Sequence, residues 1–303
     1  MHTKNPYPLS WKINRLYTLR TMLGTHWQRR ISHFYHNCVL DTVIASACSP
    51  NRDSIDVGSH KGRFTGWLSQ CSRKVYAFDP VQHDFGYPLN GDTSLYWWQV
   101  PNYEKIVRIE KALGNESTTS TFYEFEAEEG RISSAYNTLI QKTKNDAWVT
   151  NERLVTVEKL DNLIDSDVGF IKCDAEDYDL YVLQGAADLI DRWHPVIVVE
   201  AGSSNETTLS LGQQLIDFLR SKQYDVWPLG WPLTLPIQNS ENVLLNILAI
   251  HQSETNDKRQ HILRSANSYV QTLSDHLDRG FGTIKFVREN DKWLSENLRS
   301  MRP

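Results

Sequence analysis

The sequence predicts an α/β fold built on a mostly parallel sheet with helices on both faces. Three observations carry this. Short apolar runs alternate with segments of helical period over most of the chain, the pattern of repeated strand–helix–strand units. The run Val196–Ala201 is almost continuously apolar, as a strand covered on both faces must be. Four acids, Asp56, Asp79, Asp174 and Glu200, stand at or beside the carboxyl ends of four such runs, where sheets of this kind bind ligands.

In chain order, Leu16, Leu19, Leu23, Trp27 and Ile31, then Val39, Val43 and Ile44, recur at helical spacing. This predicts two helices broken near Gly24-Thr25 and ended by Ser49-Pro50-Asn51. Ser54–Val57 is the first strand, Phe64–Cys71 a helix and Lys74–Asp79 the second strand. Tyr87–Trp98 is loosely patterned and aromatic. Ile106–Leu113 is a third strand, and the alternating run Thr119–Phe125 continues it as a hairpin past Gly114-Asn115. The polar segment 130–151 is expected to be a loop over the site. Leu154–Val157 is a short strand and Leu160–Ile164 is helical. Gly169–Asp174 is a strand, Tyr178–Trp193 one helix, Val196–Ala201 a strand and Leu209–Ser221 a helix. Tyr224–Leu229 and Val243–His251 are the last strands, and the chain turns helical and polar from Lys258. The organisation is a basic helical arm over 1–52, a central domain over 53–252 and a helical extension over 253–303.

With 303 residues, 40% hydrophobic and 23% charged, the chain suits a soluble globular protein with one sizeable core. No apolar run has the roughly 18 residues of a membrane span, and no secretory leader is expected. Cys38, Cys48, Cys71 and Cys173 are widely spaced and read as thiols of a reducing, cytoplasmic compartment rather than a disulfide or zinc framework. The net charge of −5 conceals an asymmetry: residues 1–40 hold Lys4, Lys12, Arg15, Arg20, Arg29 and Arg30 and no acid. The arm reads first as a cap on an acidic domain. Its second reading is a peripheral contact with anionic lipid, glycolipid or phosphorylated glycan. A pI near 6.1 argues against nucleic acid as a partner.

The stretch Ser54–Pro80 carries the first functional signal. Gly58 permits a sharp turn off the strand, and Gly62 lets the next helix approach closely. The helix start through Phe64 and Thr65 aims backbone N–H groups at a ligand. Asp79, with Pro80 behind it, stands where an acid can accept hydrogen bonds from ribose hydroxyls. A dinucleotide turn needs Gly-x-Gly-x-x-Gly to seat a pyrophosphate. Here Ser59 follows Gly58 and the pattern is Gly-x-x-x-Gly, which suits a nucleoside cofactor without phosphates, S-adenosylmethionine.

Four blocks then resemble the FkbM family of S-adenosylmethionine-dependent methyltransferases. They are Ile55–Gly62 with Phe64-Thr65, Val75–Pro80, Lys111–Asn115, and Phe170–Glu176 with Val182–Ala186 and Pro195–Glu200 behind it. Glu241-Asn242-Val243 is a weaker fifth, and the likeness spans about 53–251. The resemblance implies a Rossmann-like seven-stranded methyltransferase sheet with its last strand antiparallel. It implies O-methylation of a sugar, glycan or natural-product hydroxyl, leaving S-adenosylhomocysteine. It places Asp56, Gly58, Ser59, Gly62, Phe64, Thr65, Asp79, Pro80 and Asp174 around the cofactor, Lys111 and Ala112 beside the adenine, and Ser133 near it in a Gly-x-x-Ser-Ser stretch. The chain departs from the family pattern at His60, where an amide is usual, at Asp177, where glycine is usual, and at Asp179, where Glu is common.

A sugar hydroxyl is a poor nucleophile and gains from a general base. Asp174, Glu176 and His60 are the candidates. Asp174 is favoured because it stands at the tip of the central strand. Glu176 also reads as a helix N-terminal acid, and His60 as a loop residue bonded to backbone. A divalent cation among Asp174, Glu176, Asp177, Asp179 and Glu200 is not favoured, since no His or neutral ligand accompanies them at clear spacing. The aromatic groups Tyr96–Trp98 and Trp227–Trp231 can stack on sugars or fill the core. The alternatives are a nicotinamide-dependent oxidoreductase, which the missing middle glycine disfavours, and a non-catalytic scaffold on the same fold.

Overall fold

In the computed structural model, two hydrophobic clusters sandwich a seven-stranded sheet. The structure describes residues 40–81, 102–127, 131–132, 138–140, 149–201, 206–229 and 245–278. Strands are β1 (Asp53–Val57), β2 (Val75–Phe78), β3 (Ile106–Ile109), β4 (Ala112–Leu113), β5 (Thr118–Ala127), β6 (Arg131–Ile132), β7 (Val149–Glu158), β8 (Val168–Cys173), β9 (Val196–Ala201), β10 (Tyr224–Pro228) and β11 (Leu245–His251). The large sheet runs β10-β11-β9-β8-β1-β2-β3. Its β9, β8, β1, β2 and β3 are parallel, and β11 is antiparallel to both its neighbours, as expected.

Strand alternation explains the two clusters, because successive side chains point to opposite faces. Ile197 and Val199 of β9, with Ile247 and Ala249 of β11, enter one cluster. Val196 and Val198, with Leu248 and Ile250, enter the other. Leu183 and Ile190, and Leu215 and Leu219 of the Glu206–Ser221 helix, cover the first face. Leu68 of the Arg63–Cys71 helix covers the second. The flanking segments complete that second face: Leu40, Val43 and Ile44 from the helical residues 40–47, and Ile262 and Ala266 from the Asn256–Asp278 helix. Arg63 Nη2 donates to Asp41 Oδ2 at 2.8 Å, joining helix 40–47 to the helix after β1.

Opposite the acidic strand ends, Arg52 ties the sheet together. Its Nε meets Asp167 Oδ1 at 2.6 Å, and its Nη2 donates to the carbonyls of Val168 and Trp193.

Several elements differ from the sequence expectation. Ile106–Leu113 is not one strand: β3 closes the large sheet, and after Glu110-Lys111 the chain leaves as β4 for a second sheet. That sheet runs β4-β7-β5-β6, so β7 lies between β4 and β5, and the expected hairpin across Gly114-Asn115 does not form. The short strand at Leu154–Val157 is the end of a ten-residue β7 that pairs with β5 from Val149 to Val157. Within the expected loop over 130–151, the described residues form β6, an isolated bridge of Thr138 to Tyr123, and the start of β7. Tyr178–Trp193 is two helices, Asp179–Gln184 and Ala187–Trp193, joined at Gly185. A side chain on Gly185 would stand 1.9 Å from the Gly114 carbonyl oxygen, so the close approach requires glycine there. Trp227 is 3% exposed and belongs to the core. The basic residues of the N-terminal arm, Ser133-Ser134, Tyr96–Trp98 and Trp231 lie outside the described residues.

Candidate active site

The site is built where β2, β1, β8 and β9 end side by side. Gly58 turns the chain off β1 at φ +69°, and His60 and Gly62 follow in the same left-handed region at +46° and +78°. The backbone N–H groups of Gly58 and Ser59 both donate to the Phe78 carbonyl at 3.0 Å, which pins this loop over the end of β2. Asp79 finishes the job from the next residue. Its Oδ2 accepts the His60 N–H at 2.8 Å and its Oδ1 accepts the Val81 N–H at 2.9 Å. Asp79 thus presents a carboxylate, an acceptor-only group, at the end of β2 beside the Gly58–Gly62 turn.

Asp56 lies beneath the loop with no exposed surface. Its Oδ2 accepts the hydroxyl of the equally buried Thr65 at 2.6 Å. The register of β1 and β8 sets Asp56 beside Lys172. Lys172 is 2% exposed. Its Nζ lies 3.1 Å from Asp174 Oδ2 and 3.6 Å from Asp56 Oδ1, the latter an ion-pair distance rather than a hydrogen bond. It also donates to the carbonyls of Val57 and Gly58 at 3.4 Å and stands 5.2 Å from the centre of the Phe64 ring. Burial pulls the Lys172 ammonium down, but Asp174 and Asp56 more than offset this and hold its pKa above the ordinary range. The sequence reading gave Lys172 no role. The signal was a lysine inside an otherwise apolar central strand, where burial demands a partner acid.

Beyond β8 the backbone is strained. Glu176 and Asp177 hold φ of +50° and +76° in succession. Two bonds fix this loop: Thr138 donates its hydroxyl to the Glu176 carbonyl at 2.6 Å, and the Ala175 N–H donates to Asp179 Oδ1 at 3.0 Å. Burial pushes the Asp179 carboxyl up to about 7, and nearby Asp174 adds to it. Glu200, one residue before the end of β9, is raised by burial and then by the charges of Asp174, Asp179, Glu176 and Asp177.

The structure therefore gathers Asp174, Glu176 and Glu200, with one carboxylate oxygen of each within 4.8 Å of the others. The Asp174 side chain is 36% exposed. The grouping consists of carboxylates alone, with Lys172 salt-bridged to one of them, and no cation is assigned to it. His60 is tied to Asp79 through its backbone N–H, and Pro80 follows Asp79 in the chain. Lys111 and Ala112 follow β3, half-buried and buried. Ser133 lies outside the described residues.

A family model described as the methyltransferase FkbM domain matches residues 56–226, more than half of the chain. The chain belongs to the FkbM methyltransferase family. Solved structures resemble this FkbM-family chain only distantly. A methyltransferase FkbM from Methylobacillus flagellatus is 13% identical with a TM-score of 0.37, over 80% of this chain and 60% of that one. The match thus spans about 60% of that neighbour's length. An rRNA methylase from Streptococcus thermophilus is 10% identical with a TM-score of 0.35, over 71% and 95% of the two chains. A Streptococcus mutans structure in complex with SAH is 10% identical with a TM-score of 0.35, over 70% and 94%. No curated protein sequence matches the chain. No described helix is long and apolar enough to cross a membrane.

Proposed function

We propose that this FkbM-family chain is an S-adenosylmethionine-dependent O-methyltransferase acting on a hydroxyl of a sugar, glycan or natural product. One observation carries the reading most directly. A half-exposed carboxylate, Asp174, is fixed by a buried ammonium at the end of the central strand, next to the Gly58–Gly62 turn and Asp79.

The residues fit the cofactor. The Asp79 carboxylate would accept the ribose hydroxyls, the Gly58–Gly62 turn lacks the middle glycine that a pyrophosphate needs, and Lys111 and Ala112 would flank the adenine. When bound, S-adenosylmethionine supplies a methyl group on a positive sulfur, which the acceptor oxygen takes as the C–S bond breaks with its electron pair on sulfur. The protein's part is positioning and proton removal. Asp174 receives the hydroxyl proton. Lys172 holds the Asp174 carboxylate in place and ionised. Thr138 and Asp179 keep the 174–178 loop, and so Glu176, facing the acceptor.

Acids rather than bases line the acceptor side, and the overall pI is near 6.1, which favours a polyhydroxylated acceptor over nucleic acid. The free thiols Cys48, Cys71 and Cys173 suit a reducing, cytoplasmic setting. A peripheral contact of the basic N-terminal segment with anionic lipid or glycolipid belongs to the same proposal. Mass spectrometry of glycan fractions from cells with and without the gene tests the acceptor class. The expected difference is one added methylene. Its absence from every fraction contradicts a glycan acceptor.

A further inference from the structure

Crowding at the strand ends poses a question of protons. Asp174, Glu176 and Glu200 bring carboxylate oxygens within 4.8 Å of one another, and carboxyls so close cannot all ionise cheaply. Relief is unequal. Lys172, 2% exposed, sits 3.1 Å from Asp174 and is held there from behind by Asp56 and by the carbonyls of Val57 and Gly58. Among the described residues no salt bridge joins Glu200 to a basic group, and the groups acting most strongly on it are Asp174, Asp179, Glu176 and Asp177. Its register neighbour on β11 is the uncharged Asn246.

We propose that Lys172 divides the protons of this cluster: it is a positioning residue that keeps Asp174 ionised as the base, and it leaves Glu200 as the proton-bearing group that donates a hydrogen bond to an oxygen of the acceptor. The inference rests on the function proposed above and adds Glu200 to the acceptor site. A carboxylic acid donor beside a carboxylate base suits a polyol, in which the reacting hydroxyl has an oxygen neighbour. Burial and the surrounding acids, which raise the Glu200 pKa, act in the same direction.

The test is infrared spectroscopy of the full chain near pH 7, which separates protonated from ionised carboxyls without an acceptor. The protonated-carboxyl band should lose one component in Glu200→Gln. Followed as the pH is lowered from 7, Lys172→Met should raise the Asp174 midpoint by about one pH unit or more, and the component that moves should disappear in Lys172→Met/Asp174→Asn. Lys172→Arg should restore the wild-type spectrum. Lys172→Met leaves Asp56 buried without its cation, so Asp56→Asn/Lys172→Met is the variant to read if the single change does not fold. A protonated band unchanged in Glu200→Gln, or an Asp174 midpoint unmoved when Lys172 is removed, overturns the proposal. Calorimetry with S-adenosylmethionine on the same samples separates the two readings. Binding without a Glu200 band contradicts the proton division alone, and a Glu200 band without binding contradicts the proposed function.

Discussion

The carbonyl oxygen of Asp174 occupies the space that a side chain on Gly58 would need: a Cβ at Gly58 would lie 1.9 Å from it. The Gly58–Gly62 turn and the central strand end are thus packed backbone to backbone. Gly58 also holds φ +69°, so two separate demands meet at one residue.

Gly58→Ala is therefore expected to displace the loop or the end of β8. The left-handed conformation alone costs on the order of 1–3 kcal/mol for a residue with a side chain, and the overlap adds to it. Thermal melting should show a clear loss of stability, and calorimetry a loss of S-adenosylmethionine binding. A variant that melts and binds like the wild type would contradict the packing described.

Asp79→Ala frees the His60 and Val81 N–H groups together with the proposed ribose contact. Binding of S-adenosylmethionine should weaken at least about tenfold, the factor that corresponds to roughly 1.4 kcal/mol. Asp79→Asn keeps one oxygen as an acceptor and should fall between the two. His60→Ala keeps the backbone N–H that Asp79 accepts and should change binding less than Asp79→Ala does.

Thr138→Val removes the hydroxyl that holds the Glu176 carbonyl. Thr138 is 1% exposed, and the loss of a buried hydrogen bond costs about 1–3 kcal/mol locally. Since it anchors the 174–178 loop, proposed to face the acceptor, and not the Gly58–Gly62 turn, S-adenosylmethionine affinity should stay near wild type while KM for the acceptor rises. Equal loss of both would place Thr138 in general stability only.

Asp179 gives a pH prediction with a defined sign. Burial raises its carboxyl from 3.8 to about 7 in the folded protein. Between these values the folded state binds the extra proton, so this contribution to stability is full below the unfolded value and is lost as pH rises through about 7. Asp179→Asn keeps an oxygen for the Ala175 N–H and removes the titration. Denaturant unfolding at pH 5 and pH 8 should show a smaller fall in stability for the variant than for the wild type. An equal fall in both would assign the pH dependence elsewhere.

Much of the fold was legible because parallel strands buried on both faces are written as apolar runs. Val196–Ala201 was bounded as it is found, and Ser54–Val57 and Gly169–Asp174 fell within a residue of β1 and β8. The second sheet was harder. Ile106–Leu113 is one run of similar composition, and its division at Glu110-Lys111 is decided by β7 pairing with Ala112 and Leu113 from more than forty residues away. The split of Tyr178–Trp193 depends on Gly185 meeting Gly114, a contact no local pattern contains. In the site, the strand-end acids could be placed from spacing alone. Lys172 could not be given a role, because its meaning lies in Asp56 across the strand pair and Asp174 at the strand tip.

The Gly58–Gly62 turn and Asp79 are proposed to hold S-adenosylmethionine. Calorimetric titration of the full chain with S-adenosylmethionine tests this reading most directly. Binding should be saturable, competed by S-adenosylhomocysteine, weakened by Asp79→Ala and not reproduced by a nicotinamide dinucleotide. No binding by the folded protein, or binding of the dinucleotide instead, would contradict it.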